Sequence, residues 1–207
     1  MNFKNLLNKM LVIALPLGVA MASLCFSSCE KADDDAWKVS NEEFVRKVAS
    51  EAKANADGKW ERILSFKLNS VDGSGRPVEH GVEDYIYCHK EVSGVGEEHP
   101  NYTDFVSVNY RGRLISTASA SSVLECNTGT IFDESYKGEL NPQHSAPRNF
   151  FVDELIVGWS TALMQMSKGD RWTIYIPANL GYGAQEQGDI PANSTLVFDL
   201  NLVDFSE

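Results

Sequence analysis

Residues 155–166 read LIVGWSTALMQM and contain the helix on which the fold depends. Apolar side chains recur there at i, i+3, i+4 and i+7, which is the spacing of one buried helix face. The four residues are Trp159, Ala162, Leu163 and Met166. Gly169 follows as a C-terminal stop. The segment therefore predicts one helix that ends near this glycine and turns its apolar face to a core.

Strand patterns lie on both sides of this helix. Residues 85–92 and 105–114 read as strands before it, and residues 172–176 and 195–203 alternate apolar and polar side chains after it. Residues 60–71 have weaker strand character. Several antiparallel strands with a single helix predict an α+β fold in which a sheet wraps around that helix.

Composition and charge exclude several classes of protein. The chain has 207 residues, 43% of them hydrophobic, which suits one domain with a tail and excludes a chain disordered throughout. A formal charge of −11 has the wrong sign for binding phosphate backbones, so no nucleic-acid partner is expected. The four histidines are scattered, and no phosphate loop or metal motif occurs. We therefore expect no metal and no cofactor.

The N-terminal segment 1–28 is typical of a signal peptide. Lys4 and Lys9 precede an apolar run over residues 11–26, which is short for a membrane span. Small residues then precede Cys29, in an arrangement that resembles the lipobox of bacterial lipoproteins. Cys25 is a weaker candidate, because bulky Leu24 precedes it. The resemblance implies export and a lipid on Cys29 that anchors the chain to the outer membrane, at its periplasmic or its cell-surface face.

An acidic stretch, residues 29–39, follows the lipidation candidate. It is either a solvated tether or, by resemblance to some Gram-negative surface lipoproteins, an export signal. Residues 40–82 form an N-terminal helix and connector. Ser40-Asn41-Glu42-Glu43 has the form of a capping box, which predicts a helix from about Asn41 to Lys53. Its apolar stripe either docks on its own domain, forms a homodimer or offers a separate chaperone surface.

Two cysteines, Cys88 and Cys126, remain in the domain 83–207. An even pair in an oxidising compartment predicts a disulfide, with two buried thiols as the alternative.

Five short motifs follow one another within this domain. They are residues 108–112, 131–133, 155–159, 180–184 and 190–199, which read VNYRG, IFD, LIVGW, LGYGA and IPANSTLVFD. In this order, from about Asp104 to Phe205, the chain resembles the FKBP-type peptidyl-prolyl cis/trans isomerases. The resemblance implies a curved antiparallel sheet around one short helix and an isomerase of the EC 5.2.1.8 class.

The resemblance also assigns a proline pocket residue by residue. It implies Trp159 as the floor, Asp133 beside the pocket, the Tyr182 hydroxyl at its rim and Ile190 on the last long loop. The apolar walls would be Tyr110, Phe132, Leu155, Ile156 and Phe198, with the backbone N–H of Ile156 as a donor to a ligand carbonyl. Each aromatic could instead be plain core, and Asp133 could be a turn residue. Tyr182 lies between two glycines, which favours a functional role.

The expected partners are proline-containing segments of envelope or surface proteins during folding. Rotation about an X–Pro bond needs no nucleophile, only a pocket that favours the twisted amide. The alternative is a module or chaperone that binds proline segments with little turnover. Three departures from the family concern the rim: Arg148, the insert 115–128 and the acidic loop 184–189.

Overall fold

The computed structural model describes residues 23–116, 123–126, 129–142 and 144–207. The side chains of residues 23–32, 125 and 126 lie outside this description, as does the predicted signal peptide up to residue 22. The predicted lipidation at Cys29 and the Cys126 side chain therefore stay outside it. Two compact units comprise residues 1–35 and 36–207. No helix among the described residues has the length and apolar content to cross a membrane.

Two helices and seven strands make up the described chain. They are α1 (Ser23–Ala54), β1 (Trp60–Leu64), β2 (Tyr85–Val92), β3 (Phe105–Leu114), β4 (Ile131–Glu134), β5 (Arg148–Phe151), α2 (Val157–Leu163), β6 (Arg171–Ile176) and β7 (Leu196–Ser206). All strands pair antiparallel in the order β1-β2-β6-β7-β3-β4, and β5 pairs with β3. The predicted α+β class is confirmed, as are the bounds of β2 and β3.

The sheet buries apolar side chains on both faces, because successive residues of a strand point to opposite sides. On the inner face, Ile174 of β6 and Phe198 of β7 join the main core with Leu163 of α2. On the outer face, their neighbours Tyr175 and Val197 belong to a second cluster. These two faces organise the rest of the molecule.

Helix α1 covers part of the outer face. Phe44, Val45 and Val48 are buried there beside Trp60 and Tyr175. Of the three roles considered for this apolar stripe, the structure therefore has docking on its own domain. Strand β1 extends the sheet, so the connector is part of the unit 36–207.

The predicted start of α1 is wrong. The helix begins at Ser23 and not at Asn41, so it includes the predicted tether, whose side chains at 33–35 are exposed. The Ser40 hydroxyl donates to the Ala36 carbonyl within the helix, 2.9 Å away, and does not cap a new one. No proline or glycine occurs between residues 19 and 57 to interrupt the helix. Its end at Ala54 agrees with the sequence prediction.

Helix α2 is shorter than predicted. It ends at Leu163 because the next amides bond three residues back: Gln165 N–H donates to Ala162 at 2.9 Å. Gly169, the predicted stop, instead forms the turn into β6 with φ +92°. Met166 is nevertheless fully buried, so the apolar spacing identified the core residues.

The predicted Cys88–Cys126 disulfide is not formed in this structure. Cys88 is a free thiol, fully buried, and it points from β2 into the main core. Burial raises the pKa of this thiol, which keeps it protonated and unreactive. The alternative of a buried thiol at position 88 is therefore what the structure contains.

Candidate active site

The floor of the candidate site is the indole of Trp159 near the start of α2. Ile156 caps this helix in an extended conformation, and its carbonyl accepts hydrogen bonds from Trp159 N–H at 2.9 Å and Ser160 N–H at 3.2 Å. A Cβ atom at Gly158 would lie 2.4 Å from Ile176 Cγ2. Only glycine therefore lets α2 lie close enough to β6 to bring Trp159 against the sheet.

Aromatic rings surround this indole almost at right angles. The ring centroid of Trp159 lies 5.1 Å from that of Tyr110, 5.1 Å from that of Phe198 and 6.0 Å from that of Phe150. The Phe132 ring in turn lies 5.4 Å from the Phe198 ring, at an interplanar angle of 87°. Edge-to-face contacts suit the quadrupoles of the rings and fix each ring in place.

Three of these residues are no more than 5% exposed: the floor residue Trp159 and the wall residues Tyr110 and Phe198. They are therefore core residues as well as pocket residues. Gly112 of β3 leaves room for the rings of Phe132 and Phe198. A Cβ atom at this position would lie 2.5 Å from Phe132 Cζ and 2.5 Å from Phe198 Cε1. Glycine at 112 therefore gives both rings the space they occupy.

We call this group of rings around Trp159 the aromatic cup. A polar network borders one side of it. The Tyr110 hydroxyl donates to Asp133 Oδ2 at 2.6 Å and accepts from Arg148 Nη1 at 3.0 Å. Arg148 also lies 3.5 Å from Asp133 Oδ1. Burial, followed by the hydrogen bond to Asp133, raises the pKa of Tyr110 far above its usual range. Asp133 thus orients the wall of the cup.

Two candidate donors, Tyr182 O–H and Ile156 N–H, are unused within the described part of the chain. Tyr182 is 38% exposed, and its hydroxyl has no hydrogen-bond partner in the described part of the chain. Burial, with the negative charge of Asp133 as the second cause, raises the pKa of Tyr182, so its hydroxyl keeps its proton at neutral pH. The backbone N–H of Ile156 likewise has no acceptor among the described residues.

The structure brings seven of the sequence-predicted residues into one core and Asp133 beside Tyr110, while Tyr182 lies outside that core. Tyr110, Trp159, Ile190 and Phe198 belong to the main core, and Phe132, Leu155 and Ile156 pack against it. Sequence reasoning missed Phe150, whose ring contacts both Tyr110 and Trp159. It lies two residues after Arg148 in β5, so both side chains face the same side of that edge strand. This period-2 spacing was the signal available in the sequence.

The site presents a surface of aromatic rings around Trp159. A cleft of about 450 Å³ lies elsewhere, between α1 and residues 177–184, and none of the predicted pocket residues lines it. No group of three histidine, cysteine or acidic side chains within the described ranges could hold a metal ion. The aromatic rings offer packing, and Ile156 N–H and Tyr182 O–H offer neutral hydrogen-bond donors.

Comparison with known proteins points to one family. The family described as FKBP-type peptidyl-prolyl cis-trans isomerase matches residues 96–203. The protein called FKBP-type peptidyl-prolyl cis-trans isomerase FkpA of Buchnera aphidicola is 36% identical over 178 residues. That match covers 81% of this chain and 62% of the relative. The chain thus spans less than two thirds of the length of the curated relatives it matches.

Solved structures give the same result. The crystal structure of FkpA from Escherichia coli superposes with a TM-score of 0.57 at 26% identity, over 89% of this chain and 68% of that one. The structure of a peptidyl-prolyl cis-trans isomerase from Pseudomonas syringae pv. tomato superposes with a TM-score of 0.54 at 25% identity. That match covers 84% of this chain and 96% of the other.

Proposed function

Since the chain belongs to the FKBP-type peptidyl-prolyl cis-trans isomerase family, we propose that it accelerates rotation about X–Pro bonds in polypeptide substrates. One observation carries this proposal: an aromatic cup with Trp159 as its floor has two unused donors, Ile156 N–H and Tyr182 O–H, at its rim. That combination suits a proline ring flanked by peptide carbonyls.

The physical problem is a resonance barrier. Rotation about a peptide bond crosses about 18–20 kcal/mol, although the trans isomer of an X–Pro bond is favoured by only about 0.5–1 kcal/mol. The two isomers are therefore close in energy but slow to exchange. A catalyst must bind the twisted amide more tightly than either planar form.

The cup would supply this difference through its apolar aromatic lining. A twisted amide has lost resonance, so its carbonyl is less polar and loses less on leaving water. The proline ring would pack on Trp159 between Tyr110 and Phe198, while Ile156 N–H and Tyr182 O–H hold flanking carbonyls during rotation. Lowering the barrier by about 6–8 kcal/mol would accelerate exchange about 10⁴- to 10⁶-fold.

Asp133 has a supporting part in this mechanism. Its carboxylate is already engaged by the Tyr110 hydroxyl and lies beside Arg148, so it is not placed to act as a general base. We assign it to fixing the Tyr110 ring and to keeping negative charge near the rim. Tyr182 has its hydroxyl free and is assigned to the substrate.

The test is isomerisation of short X–Pro peptides by the full chain, followed by proton NMR exchange between the two isomers. We expect catalysis that falls about tenfold in Tyr182→Phe, the loss that follows from one hydrogen bond of about 1–1.5 kcal/mol. Asp133→Ala should lose at least as much. Tyr102→Phe is the matched control, because Tyr102 is 41% exposed and lies outside the cup.

Two outcomes would redirect the proposal. Binding of proline peptides by a folded protein without turnover would favour the alternative of a binding module or chaperone. Neither binding nor turnover would leave the chain with the fold of its family but not the activity.

We further propose that the chain is exported and anchored by a lipid on Cys29, with envelope or surface proteins as substrates. The apolar run at residues 11–26 and the small residues before Cys29 support this proposal. Incorporation of labelled palmitate in a bacterial host should be lost in Cys29→Ser. Labelling that persists in this variant but disappears in Cys25→Ser would move the lipid to Cys25.

A further inference from the structure

The last loop before β7, residues 190–195, carries the predicted pocket residue Ile190 and is contacted by α1 from the outer face of the sheet. Ile190 lies at its start and is 6% exposed within the main core. Asn193 N–H donates to the Gly183 carbonyl at 2.8 Å, which joins this loop to the one that carries Tyr182. Asn193 has a φ of +60°, in the left-handed region that asparagine adopts more readily than most residues other than glycine.

Helix α1 contacts this loop through the side chain of Asn41. The Asn41 side chain is 2% exposed, and its Oδ1 accepts the Thr195 backbone N–H at 2.7 Å. Its Nδ2 donates to the Trp37 carbonyl one turn earlier, at 2.8 Å. Both the oxygen and the nitrogen of the Asn41 side chain therefore have hydrogen-bond partners. Without Asn41, the Thr195 amide would be buried with no acceptor, which is costly for a backbone group.

A second contact reaches closer to the pocket. The Trp37 indole N–H donates to Ser194 Oγ at 3.1 Å, and the Ser194 hydroxyl donates to the Pro191 carbonyl at 2.7 Å. Pro191 directly follows Ile190. Two side chains of one helix turn thus hold successive residues of the loop, across sequence separations of 157 and 154 residues.

These contacts differ in kind from the rest of the α1 interface. Phe44, Val45 and Val48 dock by apolar packing, which tolerates small shifts because it has no direction. Hydrogen bonds to Thr195 and Ser194 specify one position of the loop. The helix therefore has a stabilising part and a part that sets geometry.

We propose that Asn41 and Trp37 are positioning residues, which fix the 190–195 loop and thereby place Ile190 in the wall of the proline pocket. The effect on catalysis rests on the proposed function; the effect on the loop does not. Displacement of a pocket wall by a fraction of an ångström to about 1 Å can reduce turnover by up to about 100-fold.

The experiment compares variants of the full chain in two readouts. Asn41→Leu removes the acceptor at similar volume, and Asn41→Asp keeps an oxygen at Oδ1 as the rescue variant. Val48→Ala is the control, because it weakens the same helix interface without touching the loop. The readouts are the hydrogen exchange rate of the Thr195 amide by NMR and the kcat/KM for X–Pro peptides.

Asn41→Leu should accelerate exchange of the Thr195 amide relative to the Ile174 amide of β6 about 100-fold. It should lower kcat/KM about tenfold, which is within the range of a displaced pocket wall. Asn41→Asp should recover part of both effects, because it keeps the acceptor for Thr195 but turns an oxygen without a proton toward the Trp37 carbonyl. Val48→Ala should lower the melting temperature while both readouts stay within about twofold of wild type, as for packing remote from the site.

The proposal would be overturned if Asn41→Leu and Val48→Ala, at matched stability, changed the Thr195 exchange rate and kcat/KM equally. Helix α1 would then only stabilise the fold. If Asn41→Leu does not fold, Trp37→Phe and Ser194→Ala carry the test, since each deletes one donor or hydroxyl. Unchanged amide exchange rates across residues 192–195 in these variants would overturn the proposal. A wild-type protein without turnover would contradict the proposed function, and the exchange rates alone would then decide the positioning of the loop.

Discussion

Two aromatic clusters lie on opposite faces of one sheet and serve different ends. The inner cluster around Trp159 consists of rings nearly perpendicular to one another. The outer cluster stacks Trp60 on Tyr175, with ring centroids 5.6 Å apart and planes 28° apart. Similar residue types thus build both faces, so aromatic content alone does not identify the site.

The two clusters differ in which groups cover or border their rings. The chain's own helix α1 covers the outer rings with Phe44 and Val48. The inner rings adjoin an exposed tyrosine and a backbone N–H that no described residue uses. An apolar cluster closed by its own chain stabilises the fold, whereas one bordered by unused donors is available to a ligand. Four substitutions test this contrast, in order of expected effect.

Gly112→Ala should break the inner cluster. The new methyl group would lie 2.5 Å from atoms of Phe132 and Phe198, so both rings must move. We expect kcat/KM to fall about 100-fold and the free energy of unfolding to fall by about 1–3 kcal/mol. Gly73→Ala is the control, since nothing lies within 4 Å of its Cβ position. Turnover near the wild-type value in Gly112→Ala would show that the ring arrangement is not needed.

Val48→Ala should weaken the outer cluster alone. Val48 is fully buried, and loss of its two methyl groups should reduce the free energy of unfolding by roughly 2 kcal/mol. Urea denaturation measures this loss, with Val95→Ala, at a position 78% exposed, as the neutral control. Activity per folded molecule should persist. A parallel loss of activity would mean that the two faces are not independent.

His89→Gln should reveal a pH-dependent link at the border of the outer cluster. His89 lies between Asp57 Oδ2 at 2.7 Å and Glu91 Oε1 at 2.9 Å. Burial lowers the pKa of His89, but the hydrogen bonds that its ring donates to Asp57 and Glu91 outweigh burial and raise the pKa above the usual value near 6.5. The histidine therefore adds stability that is fully present below about pH 6.5 and is lost as pH rises through its folded-state pKa.

Denaturation at several pH values measures this contribution. The difference in unfolding free energy between wild type and His89→Gln should be larger at pH 6 than at pH 9. The same difference should shrink again only at acid pH, because the hydrogen bond to His89 lowers the pKa of Asp57. His144→Gln, at an exposed position, is the control substitution. A difference that grows with pH would contradict the assigned ion pairs.

Arg148→Gln should have the smallest effect on the inner cluster. Its ion pair with Asp133 is half exposed, and such pairs contribute about 0.2–1 kcal/mol. We expect kcat/KM to fall about threefold, less so at high salt. Lys137→Gln, which removes an exposed partner of Glu134, is the matched control. A loss beyond tenfold would make Arg148 a direct participant in substrate binding.

The sequence predicted what local patterns encode. Strands β2 and β3 agree with prediction because alternation and flanking turn residues define their ends. The start of α1 was wrong because a serine followed by acidic residues also fits the interior of a long helix. The hydrogen bonds of Asn41 to Thr195 had no local signal, since their partners lie 154 residues apart. Tertiary contacts of this kind become visible only in the folded chain.

Strand β7 lies at the centre of the sheet although it comes last in the chain. It pairs with β6 on one side and with β3 on the other, and its Asn201 bonds to Asn109 across 92 residues. Neither the sheet nor the aromatic cup can close before residues 196–206 are available. Folding of this sheet must therefore wait for β7, and the closing of such distant contacts should make it slow. A growing chain that lacks β7 would expose its unpaired strand edges throughout that interval, when it would be most prone to aggregate.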